Sequence, residues 1–107
     1  DRREGKLDLG WLVKRITRDA AATVGLLDRG VIAPGYKADL NVIDHGRLTI
    51  ERPYMTHDLP QGAKRLLQRA RGYVATILSG VPVYREGQAT GALPGQLVRG
   101  AQPAPQR

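Results

Sequence analysis

The 107-residue sequence contains no cysteine and no phenylalanine, and tryptophan and methionine occur only once each. Without cysteine the chain can form no disulfide, no thiolate metal site and no cysteine nucleophile. Aromatic residues make up only 5% of the sequence, so a core would have to be built from small aliphatic side chains. At this length we expect one domain, with a core that is thin for an independently folding protein.

No apolar run approaches the roughly 18 consecutive residues that a membrane span requires. Residues 1–5 read Asp-Arg-Arg-Glu-Gly and contain no apolar signal region. We therefore expect a cytoplasmic protein that has no membrane partner. Because the sequence begins with Asp1 instead of methionine, we also expect either a processed protein or a piece of a longer one.

The net charge of +7 is a feature shared with proteins that bind nucleic acids or anionic membranes. The 17 lysines and arginines are scattered, however. The richest local cluster has no aromatic residue between its members that could stack on a base, and it consists of Lys64, Arg65, Arg69 and Arg71. We therefore do not expect a nucleic acid partner, and a small basic nucleic-acid-binding module remains the alternative interpretation.

Two short helices are predicted near the N-terminus. Asp8 can cap the first, and Thr17 or Asp19 can cap the second, which Gly25 is placed to end. The apolar residues of the first helix follow the spacing of one helical face and are Leu9, Leu12, Val13 and Ile16. This amphipathic pattern requires another surface on which the helix can pack.

Short strands are predicted for most of the remaining sequence. Pro34 and Gly35 favour a type II turn between two strands, the second of which covers residues 40–43 and is bounded by Asp39 and Asp44. A short strand over residues 48–51 is followed by a loop over residues 53–62, which contains two prolines.

A β-hairpin is predicted farther along the chain. Residues 70–78 form its first strand, Ser79 and Gly80 its turn, and residues 81–84 its second strand. Pro82 has no amide hydrogen, so it must face outward or lie at an edge. The polar residues 1–6 are predicted to be a disordered linker, and the proline-containing residues 101–107 a disordered tail.

The sequence offers few groups for catalysis. The two histidines are His45, next to Asp44, and His57, next to Asp58, so each could pair with a carboxylate. Their spacing does not match a zinc motif, which usually supplies three protein ligands at a catalytic site. Ser79 lacks the Gly-x-Ser-x-Gly pattern of a hydrolase nucleophile. We therefore expect no catalytic, substrate-binding or metal-binding residue in this chain.

Two patterns nevertheless carry a family resemblance. Gly-x-Ile-x-Pro-Gly-x-x-Ala-Asp-Leu runs from Gly30 to Leu40, and Thr-Gly-Ala-Leu-Pro-Gly runs from Thr90 to Gly95. Together with Ile-Thr-Arg-Asp at residues 16–19, they resemble the end of a metal-dependent amidohydrolase of amidohydrolase family 3. The second pattern is similar to the branch of the N-acyl-D-amino-acid deacylases. Ala20 departs from this resemblance, because a proline often stands there in the family.

The resemblance implies an α+β fold in which residues 7–27 are the helical end of a parent enzyme's barrel. Residues 28–100 would then form a β-rich composite domain, a small antiparallel sheet or sandwich, and the catalytic barrel itself would be absent. Architectural roles are implied for six residues of the matching patterns and the hairpin turn, namely Gly30, Pro34, Gly35, Asp39, Gly80 and Gly95.

The resemblance also implies where the chemistry lies. In that family the zinc ligands and the catalytic aspartate lie on the barrel, and none of them maps onto this sequence. We therefore expect no cofactor in this chain and zinc in the parent. The expected partners are the parent's barrel and N-terminal strands. Without them, unpaired strand edges predict that the isolated chain forms homo-oligomers. A self-sufficient assembly domain is a further alternative.

Overall fold

A computed structural model describes residues 8–106 as an α+β protein, with a helical segment followed by short antiparallel strands. No catalytic barrel is present among these residues, as predicted. The strands in chain order are Leu40–Ile43 (β1), Thr49–Ile50 (β2), Tyr54–Thr56 (β3), Arg65–Leu67 (β4), Ala70–Arg71 (β5), Tyr73–Leu78 (β6), Val81–Arg85 (β7) and Gln88–Ala89 (β8). The linker predicted over residues 1–6 lies outside the described residues.

Helix α1 covers Leu9–Lys14 and helix α2 covers Ala20–Thr23. Asp8 caps α1 as predicted, because its carboxylate accepts a hydrogen bond from the Trp11 amide at 2.9 Å. Gly25, with φ of +79°, follows the end of α2 in the left-handed conformation that the sequence predicts there.

The predicted cap between the two helices is wrong. A π-helical turn over Arg15–Asp19 joins them without a break. Asp19 has helical backbone angles and makes no capping hydrogen bond, and its carboxylate instead lies 3.4 Å from Lys14 Nζ. The Thr17 hydroxyl donates to the Val13 carbonyl. Because a capping residue needs a non-helical backbone, neither residue can cap α2.

The chain divides into two compact units. The first unit combines the residues up to Asp39, the turn residues Leu78–Gly80 and the residues from Pro94 onward. The second unit contains Leu40–Ile77 and Val81–Leu93. The first unit is thus assembled from three separate stretches of sequence.

The second unit contains most of the strands. Its largest sheet has the order β1-β6-β7-β8, with β1 antiparallel to β6 and Leu40 opposite Ile77. Two small antiparallel pairs, β2 with β5 and β3 with β4, complete the unit. The predicted strand over residues 40–43 and the predicted hairpin are therefore confirmed.

Three local predictions in this part of the sequence need correction. Residues before Pro34 form bends and no strand, and the predicted loop over residues 53–62 contains β3, whose hydrogen bonds come from β4. The predicted strand over residues 70–78 is interrupted at Gly72, which has φ of +98°. A Cβ atom there would lie 2.7 Å from Leu48 Cα, so glycine is required by close backbone contact.

The first unit also includes part of the predicted tail. Gln102 forms a parallel bridge with Leu26, accepting a hydrogen bond from the Leu27 amide at 3.1 Å and donating one to the Gly25 carbonyl at 2.9 Å. At Gln102 the chain therefore departs from the predicted disorder.

No residue of the described part of the chain is buried. Large apolar side chains are exposed, including Leu93 at 94%, Ile32 at 88% and Ile16 at 75%. Among residues 8–106, no helix has the length and apolar character needed to cross a membrane.

Candidate functional site

All six residues that the sequence patterns single out belong to the first unit, although they come from three separate stretches of sequence. They are Gly30, Pro34, Gly35, Asp39, Gly80 and Gly95. These six residues are therefore collected in the first unit, which is the candidate location of a functional site.

The Asp39 carboxylate links two of these stretches. Its Oδ1 atom accepts a hydrogen bond from the Ser79 amide at 2.9 Å, and its Oδ2 atom lies 3.8 Å from Arg29 Nη1. Arg29 Nε also donates to Asp28 Oδ1 at 2.9 Å. One guanidinium group therefore lies between two carboxylates. We call Asp28, Arg29 and Asp39 the ion cluster.

The β6–β7 turn provides the amide that Asp39 binds. Ser79 and Gly80 both have positive φ, 52° and 79°, as a two-residue type I′ hairpin turn requires. The Gly80 amide donates to the Ala38 carbonyl at 2.9 Å. The turn is therefore held to residues 38 and 39 by one backbone hydrogen bond and one side-chain hydrogen bond.

The Pro34-Gly35 turn has the predicted geometry. The Tyr36 amide donates to the Ala33 carbonyl at 3.2 Å, and Gly35 has φ of +88°, as the third residue of a type II turn should. A Cβ atom on Gly35 would lie 3.0 Å from Pro105 Cβ. Close packing therefore adds to the conformational requirement for glycine.

Gly30 lies directly against the π-helical turn. A Cβ atom there would lie 2.8 Å from Arg18 Cα, and Gly30 has φ of +88°. Arg18 Nη1 donates to the carbonyls of Leu27 and Arg29 at 3.1 and 3.3 Å, and its guanidinium lies 5.8 Å from the centre of the Tyr36 ring. Sequence analysis missed both Arg18 and Arg29, because their partners become neighbours only in the folded chain.

A cleft of about 260 Å³ opens beside the ion cluster. Its walls include the ion cluster, Lys37, Leu78, Ser79, residues 95–99 and Gln102. Both carboxylates in the cleft already bind Arg29 or a backbone amide, so neither is placed as a free general base. The arrangement supports the architectural role that the family resemblance implies for Asp39.

The histidines do not form the pairs that their sequence positions allow. Asp58 accepts a 2.7 Å hydrogen bond from Arg65 Nε, which lowers the pKa of the Asp58 carboxyl, and Asp44 lies 3.9 Å from Arg47 Nη1. These carboxylates therefore interact with arginines instead of His45 or His57. Within residues 8–106, no group of three histidine, cysteine, aspartate or glutamate side chains could hold a metal ion.

Replacing Asp39 should destabilise the first unit. Asp39→Ala removes both the acceptor for the Ser79 amide and the partner of Arg29, and we expect a loss of about 1 kcal/mol in unfolding free energy. Asp39→Asn keeps a neutral acceptor and should lose less. Urea denaturation measures both, with Asp19→Ala as the control, because Asp19 pairs with exposed Lys14 and Arg15. Equal stability of Asp39→Ala and the wild type would contradict the proposed role.

Acid should weaken the ion cluster. The Arg29 guanidinium hydrogen-bonds the Asp28 carboxylate and holds the pKa of Asp28 below its usual value of 3.8. The resulting stabilisation is present above that value and is lost as the pH falls through the lowered pKa. Urea midpoints measured downward from about pH 5 should therefore fall more steeply for the wild type than for Asp28→Asn. Identical pH profiles would show that the ion pair does not contribute to stability.

The comparison with known proteins covers the Gly30–Leu40 pattern but not the Thr90–Gly95 pattern. A family model described as the Amidohydrolase family matches residues 1–84, which include the ion cluster and the Pro34-Gly35 turn. No curated protein and no solved structure matches this chain. Since the family match covers well over half of the sequence, this chain belongs to the Amidohydrolase family.

Proposed function

We propose that this chain is the C-terminal supporting part of a metal-dependent amidohydrolase and that it is not catalytic on its own. The parent enzyme would be cytoplasmic, would hydrolyse linear amides and would act as an N-acyl-D-amino-acid deacylase. The family match supports the hydrolase assignment. The deacylase assignment rests on the Thr90–Gly95 pattern, which lies beyond the matched residues.

The proposal rests on the contacts that the carboxylates of the ion cluster already make. The two carboxylates, those of Asp28 and Asp39, both bind Arg29 or a backbone amide. When bound to an amidohydrolase, zinc activates a water molecule and polarises the amide carbonyl. The described residues do not fit such a metal, because no suitable group of three ligands is present among them. The role of this chain is therefore to support a metal site located elsewhere.

The exposed apolar surface supports the choice of partner. Leu9, Trp11 and Ile16 on the helical segment are 52%, 50% and 75% exposed. A marginally stable fold rarely leaves so much of an amphipathic segment uncovered. We propose that the parent's barrel and N-terminal strands cover these side chains. Without them, the chain self-associates.

Activity measurements test the catalytic part of this proposal. The purified chain, dialysed after incubation with zinc, should retain no stoichiometric metal and should not hydrolyse N-acetyl-D-amino acids. A longer protein that includes the sequence upstream of Asp1 should bind zinc and release the free D-amino acid. Turnover by the isolated chain, or an upstream sequence without a metal-ligating barrel, would refute the proposal.

Light scattering tests the predicted self-association. The isolated chain should have a molar mass of at least twice 11.7 kDa. The double variant Ile16→Lys/Ile32→Lys places charges at two highly exposed apolar positions and should shift the mass toward the monomer. Ala22→Lys adds a charge at an exposed small residue of α2 and serves as the control. A monomeric wild-type chain would contradict the prediction.

A further inference from the structure

Three of the four tyrosines lie around one arginine in the second unit. Arg69 lines three neighbouring hollows of about 220, 290 and 380 Å³. Tyr73 and Tyr84 line the first, and Tyr54 and Tyr84 line the third. The basic residues of the second are Arg47, Arg69 and Arg71. We call these six residues the Arg69 surface, namely Arg47, Tyr54, Arg69, Arg71, Tyr73 and Tyr84.

Strand pairing brings these residues together. Tyr54 begins β3 and lies opposite Leu67 of β4, two residues before Arg69. Arg69 Nε donates to the Tyr54 hydroxyl at 3.2 Å, and the Arg69 carbonyl accepts from the Glu51 amide at 2.8 Å. The arginine is therefore held in place by its backbone and by its side chain. The sequence cluster of Lys64, Arg65, Arg69 and Arg71 has no aromatic residue between its members. In the folded chain, other strands supply the tyrosines beside Arg69.

The tyrosine rings remain accessible to a ligand. Tyr54, Tyr73 and Tyr84 are 39%, 37% and 48% exposed. Tyr73 begins β6, and Tyr84 lies in β7 opposite Ala89. Since these residues belong to paired strands, their positions are defined before a ligand arrives. Such preorganised aromatic side chains lose little entropy on binding.

The charges of this surface are only partly neutralised. Arg71 pairs with Glu51, and Arg47 lies 3.9 Å from Asp44. Arg69 has no carboxylate within ion-pair distance among the described residues, and its side-chain partner is a neutral hydroxyl. Glu86 is the remaining acidic residue that lines these hollows. Arg69 is therefore the arginine of this surface that a phosphate can bind without displacing a carboxylate.

We propose that the Arg69 surface binds single-stranded nucleic acid. Bases stack on Tyr73, Tyr84 and Tyr54, and the backbone phosphates contact the three arginines. Stacking on aromatic rings combined with a cationic path for the phosphates is how proteins bind single strands without sequence preference. Tyrosine and arginine are also enriched at protein interfaces. The absence of a carboxylate partner for Arg69 favours a polyanion over a protein.

This activity is separate from the proposed role as an enzyme's supporting part. Fluorescence anisotropy of labelled oligouridylate and oligothymidylate of about twelve nucleotides tests it directly with the full chain. We expect saturable binding that weakens as salt rises, with a logarithmic slope of about −2 for three phosphate contacts. Duplex DNA, whose bases cannot reach the rings, should bind more weakly at the same salt concentration.

Variants locate the binding. Arg69→Gln should weaken oligonucleotide binding about tenfold and reduce the salt slope by about 0.7. Tyr73→Leu and Tyr84→Leu should each weaken it about fivefold or more through lost stacking. Arg52→Gln is the control, because it removes the same charge from an exposed arginine of the second unit that lies outside the hollows. This variant should bind the oligonucleotide like the wild type, apart from a small general charge effect. Circular dichroism and thermal unfolding identify any variant that fails to fold.

The fluorescence emission of the wild-type chain provides a second test that requires no variant. Bound oligonucleotide should quench tyrosine emission of the wild-type chain in a saturable way. The proposal is wrong if single strands do not bind at low salt, if duplex or heparin binds equally well, or if Arg52→Gln matches Arg69→Gln. It is also wrong if Arg69→Gln changes only the oligomeric mass, since the surface is then a protein interface.

Discussion

The first unit depends on the contacts that the Asp39 carboxylate makes. This carboxylate joins the Ser79 amide, 40 residues farther along the chain, to the Arg29 guanidinium, and Arg29 in turn binds Asp28. Residues 38 and 39 hold the β6–β7 turn by two hydrogen bonds, and the turn residues belong to the first unit. The family pattern ends with Ala-Asp-Leu, so its aspartate has a structural explanation that requires no catalytic role. A carboxylate that is already bonded on both oxygens is poorly suited to accept a proton from a substrate.

Hydrogen bonds of this kind cannot replace a hydrophobic core. Ordering each residue costs about 1–2 kcal/mol of backbone entropy, whereas an exposed ion pair contributes only about 0–1 kcal/mol. Burial of apolar side chains normally makes up the difference, and no described residue is buried here. The exposed Ile16, Ile32 and Leu93 are therefore the strongest physical reason to place this chain against further protein. The chain itself belongs to the Amidohydrolase family.

The sequence predicts those features whose causes lie within a few residues. The Asp8 cap, the Pro34-Gly35 turn and the Ser79-Gly80 turn follow from the conformations of single residues, and all three are present. The errors occur where contacts between residues that are distant in sequence determine the local structure. Gly72 interrupts its strand because of the Leu48 backbone, and Asp58 pairs with Arg65 instead of the adjacent histidine. The ion cluster was missed for the same reason, because Arg29 and Asp39 are ten residues apart in sequence and become neighbours only in the folded chain.

The Arg69 surface shows how strand pairing can place aromatic residues beside an arginine that has none among its sequence neighbours. Along the chain, Arg69 stands among arginines and aliphatic residues, which argues against base stacking. Once β3, β6 and β7 are formed, tyrosines from these three strands line hollows that share Arg69. The residues of the Arg69 surface lie in the second unit, whereas the ion cluster and the Pro34-Gly35 turn lie in the first. The two proposed roles therefore use different side chains, so substitutions at Arg69 and at Asp39 can separate a binding defect from a loss of structural support.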